Sequence, residues 1–262
     1  MSLLSVEDLV VRFGGITAVD QASFTVEEGS VTGLIGPNGA GKSTCFDAIT
    51  GLRRPTSGRV RFDGRDVTGM RVSRRSRMGM ARTFQRLEAF GSLTVRDNVR
   101  VALDIRDGRR ELFRNPGRRV DQLLERVGIA TYADDRADSV PTGVARLLEL
   151  ARALACNPRL LLLDEPSAGL DDQETDEFGG LVRQLAGHGC TVLMVEHDMD
   201  LVMAVCDPVL VLDFGAVIAE GSPAQVRADP RVQQAYLGRS GGDEESAGPL
   251  DPVTRVLPAV RP

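Results

Sequence analysis

A chain of 262 residues, 42 % apolar and 26 % charged, has the ordinary make-up of a soluble globular protein and suffices for one large domain or two small ones. No apolar stretch reaches the ~18 residues that cross a bilayer, and no signal peptide is expected at its start. The formal net charge of −5 argues against a general nucleic-acid binder.

Loose alternation over residues 3–13 predicts a strand, and residues 22–26 a second, followed by the turn Glu27-Glu28-Gly29. The apolar run 31–35 reads as a buried strand and 45–50 as the start of a helix. Between them stand Gly36-Pro37-Asn38-Gly39-Ala40-Gly41-Lys42-Ser43-Thr44. Strand, glycine-rich turn and helix are the setting in which GxxxxGK[ST] forms a phosphate cradle. The backbone must curl round an anion with its N–H groups inward, in conformations that glycine adopts, and the helix N-terminus adds partial positive charge. Lys42 then reaches the β- and γ-phosphates, and the Ser43 hydroxyl is placed to bind Mg2+. Lys42 is also the single lysine among 32 basic residues. It stands where a compact ammonium is required and a planar guanidinium would not fit.

Residues 59–62 and 66–67 read as short antiparallel strands around the turn Asp63-Gly64, and 72–80 as a helix leading to Ala81-Arg82-Thr83-Phe84-Gln85. The stretch 59–86 carries nine arginines against two aspartates, a solvated face or a contact for a partner or lipid. Residues 94–105 are amphipathic, 107–119 are polar and broken by Gly108, Pro116 and Gly117, and 120–127 and 143–156 are helical by spacing. We read 86–157 as a helical subdomain with the flanks 1–85 and 158–238 forming an α/β core. Pro158 ends the last helix, and 159–163 is the continuous apolar run of a parallel strand covered on both faces. Helix 172–187, strand 191–195, helix 199–206 and strand 209–212 follow, then a turn at 213–215, a short strand and two small helices ending near Leu237. The glycines, acids and prolines of 239–262 predict a disordered tail. Cys45, Cys156, Cys190 and Cys206 lack metal spacing and read as small buried residues of a reducing cytosol.

Leu160-Leu161-Leu162-Leu163-Asp164-Glu165 puts two carboxylates where a buried strand emerges, the place ligands occupy in open α/β sheets. Asp164 is suited to hold Mg2+ through water, and Glu165 to polarise the attacking water. Val195-Glu196-His197-Asp198 repeats the arrangement, and His197 is placed to sense or stabilise a γ-phosphate. The other histidine, His188, lies between glycines and is given no role.

GPNGAGKST, RTFQ, LLLLDEP, SAGLD and VEHD, in this order and spacing, resemble the nucleotide-binding subunit of an ABC transporter over about residues 3–238. RFGG at Arg12 to Gly15, the extra residues after Gln85, HDMDLVM and ADPRVQQAYLG make the fit nearest to ATP-binding subunits of branched-chain amino acid importers. The resemblance implies an α/β fold, a P-loop NTPase (RecA-like) core with an N-terminal antiparallel β subdomain and an inserted α-helical subdomain. It implies ATP on Asn38, Gly39, Ala40, Gly41, Lys42, Ser43 and Thr44, with Phe13 stacking on adenine or, alternatively, serving as a core phenylalanine. Gln85 would touch Mg2+ and the lytic water and couple to the membrane partner, and Asp171 would lie on the loop that crosses to an opposing subunit. The implied partners are transmembrane permease subunits, a second ATP-binding subunit (the same chain or a paralogue) and, indirectly, an extracytoplasmic solute-binding protein. The implied place is the cytoplasmic face of the cell membrane, as a peripheral subunit.

One element departs from the family pattern. The signature LSGGQ is here Val140-Pro141-Thr142-Gly143-Val144, with a proline that has neither hydroxyl nor N–H in the serine position. In the family this motif meets the γ-phosphate of ATP bound to the opposing subunit. Thr142, the Gly143 N–H and a helix N-terminus still offer donors, so a weakened site rather than a dead one is expected. A soluble ABC ATPase serving nucleic acid lacks its usual second cassette, zinc insertion or coiled coil here. A regulatory module with little turnover is the remaining alternative, raised by Pro141 and Val144.

Overall fold

Two sheets divide the described residues, 1–107 and 116–237 of a computed structural model. The first holds β1 (Ser2–Phe13), β2 (Ile16–Glu27), β4 (Ser57–Phe62) and β5 (Arg65–Asp66), antiparallel in the order β2-β1-β4-β5. The second holds β3 (Val31–Ile35), β6 (Met80–Arg82), β7 (Leu160–Asp164), β8 (Thr191–Val195), β9 (Val209–Asp213) and β10 (Ala216–Gly221). Its order is β10-β9-β3-β8-β7-β6, parallel throughout except for the edge strand β10. The helices are α1 (Lys42–Thr50), α2 (Val72–Arg77), α3 (Val95–Asp107), α4 (Pro116–Arg126), α5 (Thr142–Ala155), α6 (Asp172–Gly187), α7 (Met199–Val205), α8 (Pro223–Ala228) and α9 (Pro230–Leu237). None is long and apolar enough to cross a membrane.

The apolar runs follow from burial on both faces. Successive strand residues point to opposite sides, so Leu160 and Leu162 join one apolar cluster while Leu161 and Leu163 join the other. The first cluster unites the two sheets around α1, with Phe46 and Ile49 packed among Leu4, Phe62, Leu34 and Leu193. The second joins the far face of the parallel sheet to α3–α7, through Val99, Leu124, Leu148, Phe178 and Val202.

Several expectations change. The second strand runs over Ile16–Glu27 rather than 22–26, because pairing with β1 supports residues whose own pattern is weak. The helix expected over 72–80 ends at Arg77. Gly79 takes the left-handed φ of 102°, and Met80–Arg82 becomes an edge strand parallel to β7, a ladder that three residues cannot announce by periodicity. Helix α4 begins at Pro116, inside the stretch read as loop, since a proline is tolerated in the first turn where its missing N–H goes unused. Residues 108–115 of that stretch, and the tail 239–262, lie outside the described residues.

Of the nine arginines between 59 and 86, two are not on a solvated face. Arg82 is mostly buried, and Arg75 keeps only 1 % of its surface. The Arg75 guanidinium donates to Ala48 O (2.8 Å), Ile49 O (2.5 Å), Thr68 O (2.9 Å) and Met70 O (3.2 Å), tying the last turn of α1 to α2 and its approach. Burial draws its pKa below the ordinary guanidinium value, against the pull of Asp66. Arg75→Met strands these buried carbonyls and should cost about 3–5 kcal/mol, read as a lower urea midpoint at unchanged slope.

Candidate nucleotide site

The site forms at the carboxyl ends of four adjacent strands. In the register of the sheet, Leu34 of β3 faces Val195 of β8, which faces Asp164 of β7. The residues just past these strands, from Gly36, Glu165 and Glu196 onward, therefore leave the sheet side by side. Loop 83–85 leaves β6 next to them. This edge is where open parallel sheets bind ligands.

The turn after β3 is built to leave its amides exposed to an anion. Gly36 and Gly41 have φ of 149° and 102°, and a Cβ would stand 2.0 Å from Leu212 O at the first and 2.2 Å from Ala18 O at the second. Only glycine meets both the conformation and the contact. Ala40 is buried, donating its N–H to Pro37 O (3.1 Å) and accepting from Gly215 N (2.9 Å), so β10's hairpin braces the loop. Helix α1 has no side-chain cap and no acid in its first turn, leaving its N-terminal amides to a ligand. Asn38, Gly39 and Ser43 are exposed and Thr44 half-buried. The Lys42 ammonium is buried and donates to Gly36 O (2.6 Å) and Pro37 O (3.1 Å), lying along the loop that an incoming phosphate would fill.

Past β7 the chain makes a strained turn. Glu165 has φ of 49°, unusual for a residue with a Cβ, and its N–H donates to Val195 O at 2.9 Å. Its carboxylate accepts from Gln85 Nε2 at 2.7 Å on one oxygen and meets His197 Nε2 at 2.7 Å on the other. The structure thus brings together Gln85, Glu165 and His197 from three separate loops. Asp164 is buried, and its Oδ2 accepts from Arg82 Nη2 at 2.8 Å. Its Oδ1, also buried, has no hydrogen-bond partner among the described residues. A buried carboxylate oxygen left unpaired at the strand ends, the edge from which the phosphate loop with its exposed Ser43 also leaves, suits a hard divalent cation with a water shell.

Phe13 ends β1 with 41 % of its surface exposed and the Arg53 guanidinium 4.2 Å over its ring. It is not the core phenylalanine that a strand reading allows. Thr142 opens α5, exposed, and Gly143 is buried beside it. A Cβ at Gly143 would lie 2.3 Å from Glu174 Oε1, so a larger residue here would displace the carboxylate that closes the cap of α6. Asp171 is the N-cap of α6, in a capping box with Glu174.

Three positioning residues escaped the sequence reading. Glu196 is buried and takes N–H groups from Ser167 (2.8 Å) and His197 (3.1 Å), locking the loops after β7 and β8 together. Burial pushes its pKa above the usual carboxylate range, with these N–H groups acting against that. Arg146 of α5 donates to Gln85 O (3.0 Å) and Ala168 O (3.3 Å). Arg82 also reaches Asp47 Oδ1 at 2.6 Å. All are charged residues at strand ends or on a helix, where spacing carries no sign of their partners.

Residues 19–168 match the family model described as ABC transporter, and 216–241 the model described as branched-chain amino acid ATP-binding cassette transporter. The chain is 39 % identical over 254 residues to the high-affinity branched-chain amino acid transport ATP-binding protein BraF of Pseudomonas aeruginosa, covering 91 % of this chain and 98 % of that one. LivG of Escherichia coli, of the same description, is 38 % identical over 251 residues with the same coverage. The solved ADP conformation of an ATP-binding cassette of an ABC transporter superposes with a TM-score of 0.81 at 31 % identity, covering 91 % of this chain and 99 % of that one. With the phosphate loop, the paired carboxylates and the two sheets in place, these likenesses are decisive: the chain belongs to the ABC transporter family, as an ATP-binding cassette of the ATPase type that energises transport.

Proposed function

We propose that this cassette powers uptake of branched-chain or other hydrophobic amino acids, as a peripheral subunit on the cytoplasmic face of the membrane. The observation that carries the ATPase half is the Gln85–Glu165–His197 cluster beside the Lys42 loop. The likeness to BraF and LivG and the match over 216–241 support the solute class.

In this reading the loop amides of residues 38–44, other than that of Ala40, which Pro37 O already takes, and the Lys42 ammonium hold the β- and γ-phosphates, and adenine stacks on Phe13. Ser43, Asp164 and Gln85 hold Mg2+, which when bound neutralises charge on the phosphates. Glu165 orients the attacking water and accepts its proton. Gln85 and His197 fix that carboxylate from both sides, so little reorganisation is left for the reaction itself. Residues 86–157 act as a helical unit carrying the signature, and 1–85 with 158–238 as the nucleotide core. Thr142, Gly143 and the uncapped start of α5 face the γ-phosphate of a second cassette, a copy of this chain or a paralogue, so each complete site needs two subunits.

The permease contact is assigned to the groove between α2, loop 83–90 and α3. It has a volume of about 320 Å3 and is lined by Leu52, Val72, Phe84, Phe90 and Ile105, all exposed. An apolar groove beside Gln85 suits a short helix of a membrane partner. The test is expression in the native host with an affinity tag and extraction of membranes. Two polytopic proteins should co-purify, and deletion of the gene should abolish uptake of labelled leucine. Steady ATP turnover by a chain that binds no membrane protein would favour a soluble ATPase. Absence of turnover in the purified complex would favour a regulatory module.

A further inference from the structure

Asp164 does not stand alone at the end of β7; one guanidinium grips it from the side away from its unpaired oxygen. Arg82 donates through Nη2 to Asp164 Oδ2 (2.8 Å) and through Nη1 to Asp47 Oδ1 (2.6 Å). Both members of the inner pair are nearly buried, with side-chain exposures of 7 % and 5 %. Arg82 packs near two aromatic rings, its guanidinium carbon 5.5 Å from the Phe46 centroid and 5.1 Å from that of Phe84. A planar fork packed near two rings and divided between two carboxylates is restricted in orientation.

The geometry points to Arg82 as a positioning residue for the divalent cation, a role that rests on the reading of Asp164 given above. By occupying Oδ2 it fixes the carboxylate plane and leaves the buried Oδ1, which has no hydrogen-bond partner among the described residues, to the cation's water shell. Through Asp47 it ties that plane to α1, the helix whose first turn carries Ser43. The two groups assigned to the cation are thereby held in a fixed relation by a residue that touches neither nucleotide nor cation. Arg82 is three residues from Gln85 and also lines the groove beside α2. Hydrogen-bond partners of metal ligands set the orientation, and with it the affinity, of the ligands they hold.

Arg82 also carries a positive charge that by itself repels a cation, so the informative variant keeps the charge and removes the fork. We would measure binding of a fluorescent ATP analogue to the full chain, in EDTA and across a Mg2+ titration. Arg82→Lys should raise the Mg2+ concentration at half-effect by about tenfold, with the affinity in EDTA unchanged. Asp47→Ala, which removes only the outer arm at a half-exposed side chain, should shift it in the same direction by a smaller factor. Thermal melting of each variant checks that the chain is folded. A parental Mg2+ midpoint in Arg82→Lys overturns the proposal, as does an equal loss of affinity in EDTA, which would make Arg82 a mere support of the fold. Asp164→Asn separates the two readings. If it abolishes the Mg2+ effect while Arg82→Lys leaves it intact, only the bracket fails; if it too is silent, the cation reading of Asp164 falls first.

Discussion

Lys42→Ala should leave a folded chain whose ATP turnover falls by at least about 10²-fold and whose nucleotide affinity falls about 10- to 100-fold. The ammonium is the one side-chain charge placed on the phosphate loop itself, buried between the loop carbonyls of Gly36 and Pro37. In that enclosed place a hydrogen bond to a phosphate oxygen is worth far more than at a surface. Alanine also unpairs two loop carbonyls, so part of the loss could come from a disturbed loop. Lys42→Arg separates these causes. It keeps the charge and adds donors, yet its planar head does not fit the space of a slim ammonium, so it should bind nearly as poorly as alanine. Calorimetry with ATP and a phosphate-release assay, alongside a melting curve, are the measurements. Parental affinity and turnover in a folded Lys42→Ala sample would remove the basis of the whole functional reading.

Glu165→Gln should bind ATP normally and hydrolyse it about 10²- to 10⁴-fold more slowly. Glutamine has the same size, tolerates the same turn, and its amide can still bond to Gln85 and His197 after those side chains reorient. What is lost is a group that accepts a proton from water. Because each complete site is proposed to span two cassettes, ATP that is bound and not consumed should hold the pair together. Light scattering should then show a doubled mass with ATP and Mg2+, alone or with a paralogue, that persists in the variant and decays in the parent. Hydrolysis at the parental rate by Glu165→Gln would mean that another group activates the water. A monomer under all nucleotide conditions would instead remove the two-cassette geometry, and with it the role given to Thr142 and Gly143.

The amino-acid sequence by itself determined the elements whose cause is local. The strand Val31–Ile35, the glycine turn after it, the leucine run ending at Asp164 and the strand Thr191–Val195 are each specified by neighbours in the chain. So is the order of Lys42, Gln85, Asp164, Glu165 and His197, since a motif records which residue follows which strand. Tertiary structure alone decided the rest. Residues 80–82 are a strand because β7 offers them an edge, and the first half of β2 is a strand because β1 does. Arg75, Arg82, Arg146 and Glu196 are ordinary charges in the sequence, and each has a partner between 22 and 82 residues away. A long charged side chain has no periodicity to betray its fate. Whether it is solvated or becomes the pin between two loops depends on which strands stand side by side, and that is fixed only when the sheet has formed.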